Sequence, residues 1–151
     1  AKADKLGLTI PEVITLASIV EEETNYQPEK SRVAGLYLNR LRKGIRLQSD
    51  PTVKFAMKDF KLNRILYEHL KIDDPYNTYV YAGLPPGPIR LPSVATIDAV
   101  LNAEKHNYIF MCAHPDFNGT HNFAVTLAEH NRNAAKYHVA LRKWLAKKNQ
   151  K

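Results

Sequence analysis

Cysteine is nearly missing from this chain. Cys112 is the single one in 151 residues, so no internal disulfide can staple the fold and the thiol content carries no mark of an oxidising compartment. Apolar runs of membrane-spanning length are missing too, and the opening AKADKLGLTI has neither the apolar core nor the cleavage pattern of a signal peptide. Because the first residue is Ala1 rather than Met, the chain is read as a piece of a longer protein, with any anchor or targeting segment expected outside it. No HExxH, CxxC, GxSxG elbow or phosphate-cradling glycine loop occurs, which argues against zincin, serine-hydrolase and nucleotide-binding chemistry. There is no internal repeat and no low-complexity segment.

What is present is the make-up of one ordinary soluble domain with a sizeable core: 44% hydrophobic and 25% charged residues. The net charge of +7 and the pI near 9.5 favour an anionic partner, whether nucleic acid, an acidic membrane surface or an acidic polymer such as cell-wall glycan. Much of the excess lies in the C-terminal LRKWLAKKNQK, which reads as a solvated helix face and tail.

Thr9 and Glu12 stand in capping-box spacing, Pro11 falls in the first turn, and apolar residues then recur with helical period, predicting a helix over 9–24. A second helix is predicted from about residue 28, with Val33, Leu36, Tyr37 and Leu41 on one face and Gly44 as its stop. Asp50 before Pro51 reads as an N-cap and first helical position of a short third helix. Pro75, Pro85, Pro86, Pro88 and Pro92 exclude regular helix from the middle of the chain, where Tyr76, Tyr79 and Tyr81 argue for an ordered extended loop. Ser93 caps a further helix through Leu101. NYIFMCA and THNFAVT read as a hairpin turning at Asn118 and Gly119, and a last helix carries Leu127, Asn131, Ala134, His138, Leu141 and Leu145 on one stripe. Helices and a small antiparallel sheet segregate along the chain, which predicts an α+β fold.

The stretch TLASIVEEETNYQP holds three consecutive glutamates at the end of an apolar run. Leu16, Ile19, Val20 and Glu23 follow at i, i+3, i+4 and i+7, so Glu23 points where the apolar face points, whereas Glu21 and Glu22 are rotated toward solvent or the stripe's edge. A carboxyl in an apolar stripe is destabilised as the anion and can hold a proton near neutral pH, as a general acid must. The alternative is that Glu23 turns outward or pairs with an arginine. Cys112, His114, Asp116 and His121 are all capable metal ligands, but their spacing matches no standard zinc pattern, and no metal or other cofactor is expected. Cys112, between Met111 and Ala113 in a predicted strand, reads as an inert thiol. Amide and hydroxyl groups from Gln48, Ser49, Asn77, Thr78 and Tyr79, interleaved with tyrosines, suit sugar recognition or, equally, a structural loop.

LASIVEEET, NRLRKGIRLQSDPTV, YNTYVYAGLPPGPI and HNFAVTLAEHN resemble the successive signature blocks of the endolytic murein lytic transglycosylases, the MltG/YceG-like family, in order over nearly the whole chain. After the third block, IRLPS stands where that pattern has a Pro-Gly ending. The resemblance implies a single catalytic domain over 1–151, with a lysozyme-like catalytic helix carrying the acid. It implies an enzyme that cuts peptidoglycan strands internally at the β-1,4 bond between N-acetylmuramic acid and N-acetylglucosamine, leaving 1,6-anhydromuramoyl ends. The Glu-Thr pair at Glu23 resembles that of lytic transglycosylases generally and makes Glu23 the catalytic acid, with Glu21 in reserve or assisting. Glu21, Gln48, Ser49, Asp50, Asn77, Thr78, Tyr79 and His121 are the implied substrate contacts. The implied setting is the bacterial cell envelope, outside the cytoplasmic membrane, anchored by an N-terminal helix not in this chain. Peptidoglycan strands are the implied partner, cell-wall synthesis enzymes are candidate protein partners, and nucleic acid is not one. Two other readings stay open: a lysozyme-like hydrolase, with Asp50 as second carboxylate, and a non-catalytic glycan-binding module.

Overall fold

The structure is a computed structural model that describes residues 2–58 and 67–149. The chain packs as two compact units, residues 1–105 and residues 106–151. Together they hold six helices and a two-stranded antiparallel sheet among the described residues, the α+β composition expected.

The first unit begins with a short helix that the sequence pattern does not signal, α1 (Lys2–Leu6). The next helix, α2 (Ile10–Glu23), starts where expected: the Thr9 hydroxyl accepts the Glu12 N–H at 3.3 Å while the Glu12 carboxylate accepts the Thr9 N–H at 2.9 Å. Its inner face is the predicted one, with Leu16, Ala17, Ile19 and Val20 all at 0% exposure. A 3₁₀ turn at Gln27–Glu29 leads into α3 (Lys30–Lys43), which ends on Gly44 in the left-handed region at φ 68°. That conformation disfavours a side chain and suits glycine, as the C-cap reading requires. Val33, Leu36 and Tyr37 of α3 are buried.

Helix α4 (Asp50–Met57) packs on α2 through a region where Val53 is fully buried. The proline-rich segment holds no helix or strand but runs through turns and bends, the Tyr81 N–H donating back to the Asn77 carbonyl at 3.0 Å, and it delivers the chain to α5 (Val94–Leu101), capped by the Ser93 hydroxyl accepting the Thr96 N–H at 3.2 Å. Helix α5 lies against both α2 and α3. The IRLPS residues fasten this crossing, because the Ile89 N–H donates to the buried Ser18 hydroxyl at 3.0 Å and the Ser93 N–H to Glu21 at 2.9 Å.

In the second unit, β1 (Phe110–Ala113) pairs antiparallel with β2 (His121–Ala124) in the register Phe110 to Ala124 through Ala113 to His121. The strands are shorter than the two seven-residue segments expected. The shortfall lies mainly at the end away from the turn, where residues 107–109 and 125–126 fall outside the strands, and the connection is a seven-residue loop that includes Phe117 at φ 52° and Gly119 at φ 81°. Helix α6 (Leu127–Asn149) has no buried residue, and the predicted stripe is not its packing face: Leu127 is 58% and Leu145 43% exposed. Aromatic contacts set the face instead. Phe110 stacks on His130 at 5.2 Å between ring centres, and Phe117 meets Tyr137 at 5.8 Å and Trp144 at 6.2 Å. Among the described residues no helix is long and apolar enough to cross a membrane.

Candidate active site

Glu23 is the last residue of α2, one turn beyond the buried Val20. Thr24 leaves the helix in extended conformation, its N–H donating back to the Val20 carbonyl at 3.3 Å, so the Glu23 side chain stays on the inward stripe while the backbone turns away. Two hydroxyls converge on its Oε1: the Tyr37 hydroxyl donates at 2.9 Å and the Ser49 hydroxyl at 3.0 Å. Burial, and after it the Glu23 charge, pushes the Tyr37 phenol well above its ordinary value, so it remains a donor.

The Ser49 backbone is held at both its N–H and its carbonyl. Its N–H donates to the Thr78 hydroxyl at 2.9 Å, its carbonyl accepts the Thr52 hydroxyl at 2.7 Å, and Thr52 and Thr78 share a hydroxyl–hydroxyl bond of 2.8 Å. The Gln48 N–H adds a 3.3 Å bond to the Thr78 carbonyl. Thus LQSDP and YNTY, distant in sequence, are clasped together beside Glu23. Gln48 is exposed and sits at φ 51°, an uncommon conformation for a residue with a side chain, and such strain persists only where the surroundings impose it. Its Oε1 lies 3.4 Å from the Arg40 guanidinium, which donates more closely to the Arg46 carbonyl at 2.7 Å. Burial lowers the Arg40 guanidinium from its ordinary value.

Asp50 is not the N-cap. Ser49 occupies that position without a side-chain capping bond, because its hydroxyl is taken up by Glu23. Asp50 instead is exposed and accepts the Tyr79 hydroxyl at 2.5 Å, and burial together with Asp50 pushes that phenol up. Asn77 and Thr78 are buried, at 0% and 1% exposure. The Asn77 amide donates to the Leu70 and Ile72 carbonyls at 3.1 and 2.8 Å, and its Oδ1 accepts the Tyr79 N–H at 2.9 Å. Both residues shape the loop that presents Tyr79, where sequence reasoning had them touching a ligand.

Glu21 departs furthest from the helical-wheel reading. Its carboxylate is enclosed, accepting from Lys30 Nζ at 2.5 Å, the Thr96 hydroxyl at 2.7 Å and the Ser93 N–H. Burial alone would raise this carboxyl, but the Lys30, Thr96 and Ser93 hydrogen bonds outweigh it and hold the group at about 2. The solvent side of that turn is closed by α5, which a wheel drawn on α2 alone cannot show. Glu22 is exposed and paired with Arg90 at 2.8 Å. His121 stands on β2 in the second unit, opposite Ala113. Among the described residues no group of three His, Cys, Asp or Glu side chains is placed to hold a metal ion, and burial raises the Cys112 thiol.

Sequence reasoning missed Tyr37 and Thr52 as site residues. A signal for Tyr37 existed: it is the polar-tipped member of an otherwise aliphatic stripe, and a buried tyrosine hydroxyl needs a partner.

The cluster draws Glu23, Ser49, Thr52 and Thr78 from the first three of the four sequence blocks that carry the family pattern, and Tyr37 from outside them. The YceG-like family matches residues 1–136. This chain belongs to the YceG-like family. It is 39% identical over 133 residues to the endolytic murein transglycosylase of Bacillus subtilis (strain 168), covering 88% of this chain and 36% of that protein. It is 33% identical over 135 residues to the endolytic murein transglycosylase of Streptococcus pneumoniae serotype 2 (strain D39 / NCTC 7466), covering 87% of this chain and 24% of that one. The crystal structure of a yceG-like protein from Listeria monocytogenes superposes with a TM-score of 0.77 at 36% identity, over 87% of this chain and 41% of that chain. The YceG-like chain described here therefore spans well under half the length of each of these proteins.

Proposed function

We propose that this chain carries the catalytic centre of a peptidoglycan lytic transglycosylase that cuts the β-1,4 bond between N-acetylmuramic acid and N-acetylglucosamine inside glycan strands. The observation that carries the reading is the Glu23 carboxyl, set at the end of a buried helix face with Oε1 fixed by Tyr37 and Ser49. An oxygen that accepts two hydroxyl protons is the carbonyl-like one, so in the acid form the transferable proton sits on Oε2. Glu23 gives that proton to the glycosidic oxygen as the bond to the anomeric carbon breaks, and positive charge develops on the muramoyl ring. The muramoyl 6-hydroxyl then attacks the anomeric carbon, its proton passes to the Glu23 carboxylate, and a 1,6-anhydro ring closes. Water is not consumed, and one carboxyl serves as acid and then base.

Gln48, Asp50 and Tyr79 hold the strand in the geometry for that attack, while Ser49, Thr78 and Asn77 support them from beneath. Glu21 acts at one remove, by fixing the helix turn that carries Glu23. His121 is tested by glycan-binding measurements on His121→Ala, where weakened binding is expected. The envelope setting, an anchor in the cytoplasmic membrane and contact with cell-wall synthesis enzymes belong to the same proposal and rest on the relatives' names and the family resemblance.

The second reading is a hydrolase, favoured by one observation: Asp50 is exposed and held by Tyr79 beside Ser49, where a second carboxylate could activate water. Mass analysis of the ends made from purified peptidoglycan separates the two. Anhydromuramoyl ends, lighter by one water, are expected, and ordinary reducing ends would assign the hydrolase.

A further inference from the structure

Glu22 and Pro51, the sequence neighbours of Glu23 and Asp50, line a cavity of about 210 Å³ together with Lys54, Phe55 and Ile89. Tyr37 and Ser49, the hydroxyls on Glu23, are not part of its lining. Its chemistry differs from that of the Ser49–Tyr79 clasp. Among the described residues no amide or hydroxyl side chain faces it, and neutral sugar hydroxyls would need such groups. Pro51, Phe55 and Ile89 give it apolar surface beside the charged Glu22 and Lys54: Ile89 is 9% exposed, and half-buried Phe55 is braced on Tyr76 with ring centres 4.6 Å apart. The charges are unequal as well. Glu22 is already paired with Arg90 at 2.8 Å, whereas half-buried Lys54 has no carboxylate partner among the described residues. An ammonium that no carboxylate already holds can take up an anionic ligand.

We propose that this cavity receives the peptide stem of murein, with Lys54 Nζ on a stem carboxylate and Pro51, Phe55 and Ile89 against alanine methyl groups. The assignment rests on the murein substrate proposed above. Its location fits that substrate, because the stem hangs from the same muramoyl residue whose glycosidic bond Glu23 would break. The consequence is a preference for peptide-bearing strands over bare glycan. Lys54 would then determine specificity without taking part in bond breaking.

The test compares kcat/KM for strands that carry their peptides with kcat/KM for the same strands stripped by an amidase, in wild-type protein, Lys54→Met and Lys54→Arg. The wild type is expected to prefer peptide-bearing strands, and Lys54→Met to reduce the ratio of the two values roughly tenfold through KM, the scale of one lost charge-assisted hydrogen bond. Lys54→Arg should restore most of the ratio. A ratio unmoved by Lys54→Met would overturn the proposal. A parallel titration with the dipeptide L-alanyl-D-glutamate, followed by NMR, needs no cleavage. Shifts at Phe55 that vanish in Lys54→Met are expected, and their absence from the wild type would also overturn it. If the wild type cut neither kind of strand, the transglycosylase reading would fail while the titration still decided the cavity.

Discussion

Two hydroxyls on Oε1 of Glu23 leave Oε2 as the oxygen that carries the proton in the proposed mechanism. Removing one should therefore weaken catalysis more than binding. For Tyr37→Phe we expect kcat to fall roughly 10- to 100-fold, the equivalent of about 1.5–3 kcal/mol for a hydrogen bond to a charged group, with KM within about threefold. The alkaline limb of its pH–rate curve should move to higher pH, because a carboxylate that loses a donor holds its proton more tightly. The other charged or titratable groups around it, Arg40 on α3, Tyr79 in the loop and Asp50 on α4, are unchanged in this variant. Steady-state kinetics over pH check both points, and a KM effect without a kcat effect would remove Tyr37 from the catalytic arrangement. At this scale the sequence was legible where one helix decides the answer. The roughly 100° step per residue separated Glu23 from Glu22 correctly. It could not place Glu21, whose partners Lys30, Ser93 and Thr96 come from other elements.

Between elements, two polar clasps set the site. The first is Glu21, joining α2 to α3 through Lys30 and to α5 through Thr96. Its folded value of about 2 lies below its ordinary 4.5, so the unfolded chain takes up a proton first as pH falls. The stabilisation is complete above about pH 4.5 and is lost as pH drops toward 2. Thermal unfolding across that window should show a falling midpoint. Glu21→Gln should lose that part of the pH dependence and be destabilised by on the order of 3 kcal/mol at neutral pH, since Lys30 is left buried without its counter-charge. A variant as stable as wild type would contradict the clasp. The second clasp is Thr78 with Thr52 and Ser49. Thr78→Val keeps the shape but leaves the Ser49 N–H without its acceptor, so denaturant unfolding should show a loss of about 1–3 kcal/mol. Activity should fall with it, because Ser49 is the group displaced. Element positions were largely legible: the Thr9–Glu12 capping box, the Gly44 stop and the Ser93 cap are local chemistry and appear as read. Asp50 misled because the N-cap rule assumes that the best capping side chain is used for capping. Ser49 holds the position while its hydroxyl serves Glu23.

For the whole molecule, the α+β content was legible because helical and alternating patterns occupy separate stretches of the chain. The face of α6 was not, since the rings that select it, Phe110 and Phe117, belong to the hairpin. The net charge of +7 suits an anionic polymer, but the groups clasped beside Glu23 are mostly neutral. Cleavage of peptide-free strands should therefore change little with salt, whereas binding by phosphate contacts would weaken steeply, and rates at two ionic strengths check this. The most direct test of the central claim is anhydromuramoyl product formation by Glu23→Gln, measured beside its thermal unfolding. The amide can still accept from Tyr37 and Ser49 but has no proton to transfer. Loss of activity by about 10⁴-fold, at the upper end for a general acid that must also act as base, is predicted with a stability within about 1 kcal/mol of wild type. A folded Glu23→Gln protein that still forms anhydromuramoyl ends at a comparable rate would contradict the account.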